Sequence, residues 1–308
     1  MTGRIAVLGS INMDLVTEVP RLPRPGETVT GRSFARYPGG KGANQAVAAA
    51  RMNGQVAFYG KVGEDFFGEE LLAGLRQEGV CVDAVGREPA VPSGIAAIVV
   101  AEGGENTIAY TPGANAQVDR RYVDSVLPAI TSASIVLLQL ETPLETVAYL
   151  LSRLPESGPL VILNPAPAQG LSSLLLARVG FITPNRGELE TLAGVSDIPT
   201  AGRRLLAQGV THVVCTAGEE GVHLIEAKGS RHFPAVPVRP IDTTAAGDAF
   251  NGALAAAMAE GQPVEAAISW ANACGALSTT RRGAQPSLPR REELEAFLRD
   301  GAAGKTRR

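Results

Sequence analysis

The sequence predicts an α/β protein built on a largely parallel sheet, with a small flap of extra strands set into it. Three observations carry this reading. Short apolar runs alternate with longer Ala- and Leu-rich stretches, the pattern of βαβ units. Two polar–apolar alternating segments, 16–36 and 93–110, break that rhythm. The chain has 308 residues and is 45% hydrophobic, enough to fill one sizeable core.

The elements follow in order. Ile5–Leu8 is an apolar run ending at Gly9, a buried strand. Ala43–Met52 is an Ala-rich helix stopped by Gly54. Val56–Tyr59 is a strand, and Asp65 caps a helix running through Leu71, Leu72 and Leu75 to Gly79. The segments 16–36 and 93–110 read as antiparallel strands outside the main sheet, the second a hairpin turning at Gly103 and Gly104. Ile135–Leu140, Leu160–Leu163 and Phe181–Thr183 resume the central strands, and His212–Thr216 and Val222–Ile225 extend them. Ala246–Met258, Val264–Thr279 and Arg290–Leu298 are helices, and 301–308 reads as a mobile tail. One domain, 1–308, is preferred to two.

Composition excludes several classes. Net charge is −3 with mixed signs and no basic run, which argues against nucleic acid. No stretch reaches the ~18 apolar residues of a membrane span. Cys81, Cys215 and Cys274 are too few and too far apart for a disulfide framework or a zinc pattern. With "MTGRIAVLGS" leading directly into a strand, the expectation is a cytoplasmic protein.

Four stretches carry possible chemistry. "DTTAAGDAFNGAL" places Ala245, Ala246 and Gly247 before Asp248 at a helix start. The unpaired N–H groups there form an anion site. A carboxylate in the same turn would repel a resting phosphate unless it takes a proton from an attacking hydroxyl. The plain alternative is an N-cap aspartate. "TPNRGELE" sets Asn185 and Glu188 three apart, either to hold water around magnesium or to form a capping pair. "VVCTAGEEGV" is a Gly-bracketed turn at a strand end, a ligand loop or an ordinary hairpin. "GSINMDLV" points Asn12 and Asp14 the same way on an extended segment, suited to sugar hydroxyls or merely solvated. Glu141 and Asn164 follow their strands in the same manner. "YPGGKGANQA" has the composition of a phosphate loop but lacks the Ser/Thr after Lys41 that would ligate magnesium. His212, His223 and His232 lack metal spacing and read as ordinary strand residues.

Together, "GGKGANQAVAAARMNG" and "DTTAAGDAFNGAL" resemble the signatures of the ribokinase-like family of carbohydrate and nucleoside kinases. "GSINMD", "PGETV", "TPGANA", "QLETP", "LNPAPA", "TPNRGELE" and "RRGAQPSLP" fall in the family's order over nearly the whole chain. The resemblance implies a three-layer sandwich with a central, mostly parallel sheet and a small β-sheet lid, here from about 12–37 and 91–111. In such kinases the lids pair into a homodimer. It implies ATP-dependent phosphorylation of D-ribose at O5, with Asp248 as base and Ala245, Ala246 and Gly247 at the anion hole. Asn12, Asp14, Gly40, Lys41, Asn44 and Glu141 match sugar positions. Asn185, Thr216, Gly218, Gly221, Gly247 and Asn272 match positions around ATP. Glu188 is tied to magnesium through water. Asp242, Thr244, Ser278, Arg281, Gly283 and Ser287 match loops that hold an activating potassium ion. The alternatives are a kinase for deoxyribose, fructose or adenosine, or a non-catalytic sugar sensor on the same fold.

Overall fold

A computed structural model describes residues 3–305. Its strands are β1 (Arg4–Leu8), β2 (Asn12–Val19), β3 (Ser33–Gly39), β4 (Gln55–Tyr59), β5 (Lys61–Gly63), β6 (Gly86–Glu88), β7 (Gly94–Ala101), β8 (Asn106–Thr111), β9 (Ile135–Leu138), β10 (Leu160–Leu163), β11 (Phe181–Ile182), β12 (His212–Thr216), β13 (Val222–Glu226) and β14 (Gly229–Phe233). The helices are α1 (Lys41–Arg51), α2 (Phe66–Gln77), α3 (Arg120–Thr131), α4 (Leu144–Arg153), α5 (Ser173–Leu176), α6 (Arg186–Ala193), α7 (Ile198–Leu206), α8 (Ala246–Ala259), α9 (Val264–Ser278) and α10 (Arg291–Lys305).

The main sheet has eight strands in the order β14-β13-β12-β11-β10-β9-β1-β4. The six from β12 to β4 are parallel, and β13 and β14 add an antiparallel edge. Period-two alternation makes the layers. In β1, Ile5 and Val7 join the core under α1, α2, α8 and α9, while Ala6 and Leu8 join the core under α3, α4, α6 and α7. Burying both faces explains why these strands read as unbroken apolar runs.

The lid is a separate four-stranded sheet, β3-β2-β7-β8. It departs from the purely antiparallel expectation: β2 pairs with β7 in parallel along its whole length, flanked by antiparallel β3 and β8. The two lid segments leave and re-enter the main sheet in the same sense, so their leading strands align. The hairpin turns at Gly103 and Gly104, with Gly104 N donating to Ala101 O at 2.9 Å.

Three boundaries shift. Asn53, at φ 64°, takes the left-handed position after α1 that had been assigned to Gly54. Gly54 is glycine for a different reason, since a Cβ there would lie 2.8 Å from Ala49 O. The strand expected over 135–140 ends at Leu138, freeing Gln139 for the site. Helix α10 continues through Lys305 where a tail was expected from 301, and residues 306–308 lie outside the described residues.

Candidate active site

The parallel strands end on one edge of the sheet, where open α/β sheets bind ligands. Two helices begin over that edge. Both α1 and α8 are rich in alanine, and Gly252 of α8 meets Ala48, Ala49 and the Gln45 carbonyl so closely that a Cβ would lie 2.7 Å from Ala49 N. Small residues let the two helices run side by side. Their first turns therefore meet, bringing Asn44 and Gln45 to Asp248.

Asp248 is buried and is not an N-cap. Ala245 occupies that place with φ 59°, and the Asp248 carboxylate turns toward α1. Asn44 Nδ2 donates to one carboxylate oxygen and Gln45 Nε2 to the other, each at 2.9 Å. Burial raises the Asp248 pKa, although Lys41 and the two amides favour its charge; Glu141 adds repulsion. The first-turn N–H groups of Ala246, Gly247 and Asp248 have no acceptor within their own helix. Asn251 Nδ2 donates to Gly247 O at 2.8 Å and steadies that turn.

Of the residues matched to sugar positions, Asn12 and Asp14 lie on β2, Gly40, Lys41 and Asn44 at the start of α1, and Glu141 beyond β9. Glu141 Oε2 accepts from Lys41 N at 3.0 Å and from Ser10 Oγ at 2.6 Å. Burial raises Asp14 to about 7, helped by the nearby Glu141 and Asp248 charges. Burial opposes the Lys41 charge, but Asp248, Glu141 and Glu188 outweigh it and raise the Lys41 pKa. The buried Asn44 Oδ1 has no hydrogen-bond partner among the described residues, an acceptor available to a ligand.

In "PGGKG", Gly39 lies against the Asp14 carboxylate, while Gly40 and Gly42 pack on backbone. A Cβ on Gly40 would lie 2.8 Å from Ile11 Cα, and one on Gly42 would lie 2.6 Å from Ser10 N. Gly40 also needs its φ of 90°. At Gly40 and Gly42 the missing side chain lets α1 seat on the loop that follows β1.

Two cavities adjoin here. One, of about 200 Å³, is lined by Lys41, Asn185, Glu188, Thr216 and Asp248 with the backbone of 245–247. The other, of about 570 Å³, is lined by Thr216, Gly218, Gly221, Gly247 and Asn272 together with apolar Val222, Val236 and Phe250. Every residue expected around a nucleotide thus lines at least one of them. The loop after β12 is more than a plain hairpin: Gly218 (φ 57°) and Gly221 (φ 94°) shape a 3₁₀ turn against Phe233 and Ala235. Asn185 and Glu188 form the capping box and also line the cavity. Glu188 Oε2 accepts from Asn185 N at 2.8 Å, leaving Oε1 for other partners. Burial raises the Glu188 pKa.

The residues expected at a monovalent cation come together in part. Asp242 accepts from Thr244 N at 2.9 Å and from Gly283 N at 2.8 Å, and Asp242 N donates to Thr279 O. Ser278 and Ser287 are fully buried, with hydroxyls turned onto Gly275 O and Ala284 O. The Arg281 side chain pairs with Glu293 instead. Their oxygen-only donors suit a hard cation. No group of three or more His, Cys, Asp or Glu able to hold a metal occurs among the described residues.

Sequence reasoning missed Ser10, Gln45, Asn115, Gln139, Thr183 and Asn251. Asn115 accepts from Ile11 N and donates to Asn12 Oδ1 at 2.7 Å, tying together the two chain crossings between lid and main sheet. Of the three histidines, His223 stacks on His232 at 4.6 Å and His212 on Phe181 at 4.3 Å.

The family model described as pfkB family carbohydrate kinase matches residues 2–291. Ribokinase from Bacillus subtilis (strain 168) is 41% identical over 96% of this chain and 99% of its own. Deoxyribokinase from Salmonella typhimurium (strain LT2) is 36% identical over 96% and 98%. The structure of Arabidopsis thaliana ribokinase complexed with ribose and ATP superposes with a TM-score of 0.91, at 31% identity, covering 97% of this chain and 99% of that one.

Proposed function

The chain belongs to the pfkB family of carbohydrate kinases, and on that premise we propose that it transfers the γ-phosphoryl group of ATP to O5 of D-ribose, releasing ADP. The observation that carries this reading is the position of Asp248. Asp248 lines the smaller cavity, which shares Thr216, Ala246 and Gly247 with the larger one, and its carboxylate is held by Asn44 and feels the charge of Asp14. ATP in the larger cavity would present its γ-phosphoryl group to the first turn of α8.

Asp248 accepts the O5 proton as that oxygen attacks in line. Such general-base help is worth roughly 10² to 10⁴ in rate. The N–H groups of Gly247 and Asp248, in the turn capped by Ala245, hold the charge that develops on the transferring group; Ala246 N itself donates to Thr243 O at 3.3 Å. One lost donor of this kind costs about 10² to 10³. Lys41 also points into this cavity, and its retained charge suits it to the phosphoryl oxygens. Asp14, Asn12 and Asn44 hold the sugar hydroxyls, and the unpartnered Asn44 Oδ1 supports that role. Glu188 fits magnesium held through water, because one carboxylate oxygen stays free beside Lys41 and Asp248; the ion supplies charge neutralisation on the phosphates. The 242–244 and 278–287 loops fit potassium.

The lid supports a homodimer. By register, Val16, Ala35, Ile98 and Ile108 share a row beside that of Asp14, on the same face. Ile108 is 56% exposed and Tyr110 42%, an apolar surface suited to a second lid. The three free cysteines suit a reducing cytoplasm. No helix among the described residues is long and apolar enough to cross a membrane.

The test is Asp248→Asn with a sugar panel. The variant is expected to bind ribose and to lose turnover by at least about 10². Near-normal turnover would remove Asp248 as the base. Deoxyribose is the second reading, favoured by the deoxyribokinase relative. A preference for it over ribose in kcat/KM would replace the first.

A further inference from the structure

Asp248 is gripped by two amides. One, Asn44, belongs to the sugar-binding set. The other, Gln45, is fully buried and lines neither cavity. A buried glutamine must find partners for both ends of its amide. Gln45 Nε2 donates to Asp248 Oδ1 at 2.9 Å and to Asn164 Oδ1 at 3.0 Å, and Gln45 Oε1 accepts from Gln139 Nε2 at 2.7 Å.

The direction of this chain is fixed from outside. Asn164 Nδ2 donates to the Thr183 carbonyl at 3.2 Å, and a carbonyl only accepts. Asn164 therefore presents its oxygen to Gln45. Gln45 must answer with its nitrogen, and its second hydrogen then falls on Asp248. Gln139, at the end of the β9 run, closes the other side of the Gln45 amide. Gly9 lies directly against Gln139 Oε1, and any side chain there would displace it.

We propose that Gln45 is a positioning residue for phosphoryl transfer: held by Gln139 and Asn164, it donates to Asp248 and fixes that carboxylate, ionised, as proton acceptor. This rests on the reading of Asp248 as the base. The other charged groups facing Asp248 are Lys41 from α1, Glu141 from beyond β9, Asp14 from β2 and Glu188 from α6. None of them contacts Gln45 by hydrogen bond among the described residues.

The test is the pH profile of single-turnover phosphoryl transfer at saturating sugar and ATP, when sugar covers Asp14. Gln45→Met keeps the shape and removes the donor. Losing one hydrogen bond to a charged group moves the acid limb up by about one pH unit. Activity then falls about tenfold below the limb and recovers to within about threefold above it. Gln45→Glu, which sets a second carboxyl against Asp248, moves the limb further in the same direction. Sugar and ATP affinities stay within about twofold, because Gln45 is fully buried and its amide is taken up by Asp248, Asn164 and Gln139. A limb at the wild-type position, with activity lost equally at every pH, overturns the proposal. If Gln45→Met does not fold, Gln139→Met removes the anchor on Gln45 Oε1: a smaller upward move of the limb supports the proposal, and an unmoved limb overturns it. Turnover surviving in Asp248→Asn overturns the base and this role together. A dead Asp248→Asn with an unmoved Gln45→Met limb overturns this role alone.

Discussion

Asp14 offers a stability experiment whose magnitude depends on pH. Burial and its acidic neighbours raise it from 3.8 to about 7. Between those values the folded protein holds a proton that the unfolded chain has lost. Stability therefore falls as pH rises through that window, and the penalty is complete above 7. The displacement is about three pH units at about 1.4 kcal/mol each, so at most about 4 kcal/mol. Water at the cavity mouth and the shared response of Glu141 and Asp248 reduce this to about 2 kcal/mol. Asp14→Asn keeps the shape and removes the charge. Without ligand it should be about 2 kcal/mol more stable than wild type at pH 8, with less than half that gain left near pH 5. Urea unfolding of both proteins at the two pH values measures it. Ribose affinity at pH 8 should fall by about 10² in the same variant, as hydroxyl donors lose a charged acceptor. A variant that is destabilised at pH 8, or shifted equally at both pH values, would refute the reasoning.

Two further perturbations test the proposed cation loops and lid. Exchanging sodium for potassium is expected to raise wild-type turnover, and Asp242→Ala to abolish the response, because the carboxylate clamps Thr244 N and Gly283 N. A thermal midpoint that rises with potassium but not sodium, without substrates, is the companion measurement; indifference to both ions counts against the site. Ile108→Glu sets a charge in the exposed lid row and is expected to give a monomer by sedimentation, with the main sheet's unfolding midpoint unchanged. A dimer surviving that substitution removes the lid as the interface.

Much of this architecture was legible because its causes are local. Ile5–Leu8 and Leu160–Leu163 announce buried parallel strands by apolar content alone, and Asp65 caps α2 through Gly68 N as its position predicts. The parallel pairing of β2 with β7 was not legible, since it joins segments some eighty residues apart whose relative direction no local pattern encodes. The two readings of Asn185 and Glu188 turned out to be compatible, because a capping box uses one carboxylate oxygen and leaves the other. The amide chain was missed for a specific reason. Gln45 and Gln139 stand inside apolar stretches, "ANQAVAAA" and "IVLLQL", where periodicity treats them as interruptions. A glutamine in a buried run is itself a signal, because it must be paired.

That signal also explains how the site tolerates its charges. Glu141, Glu188 and Asp248 surround the Lys41 ammonium, and Asp14 adjoins Glu141 and Asp248. Burial pushes Asp14, Glu188 and Asp248 toward their neutral forms. The proposed base, Asp248, alone among the three has side-chain amide donors on both oxygens among the described residues. Asp14 has no such pair among the described residues and rises to about 7. Burial raises both carboxylates, and the amide donors on Asp248 oppose that rise where Asp14 has none of its own among the described residues. Sugar hydroxyls offer Asp14 the donors that Asn44 and Gln45 already give Asp248, so sugar binding should pull its pKa down. Proton release on ribose binding, greatest near pH 7 and absent in Asp14→Asn, is the calorimetric signature of that difference.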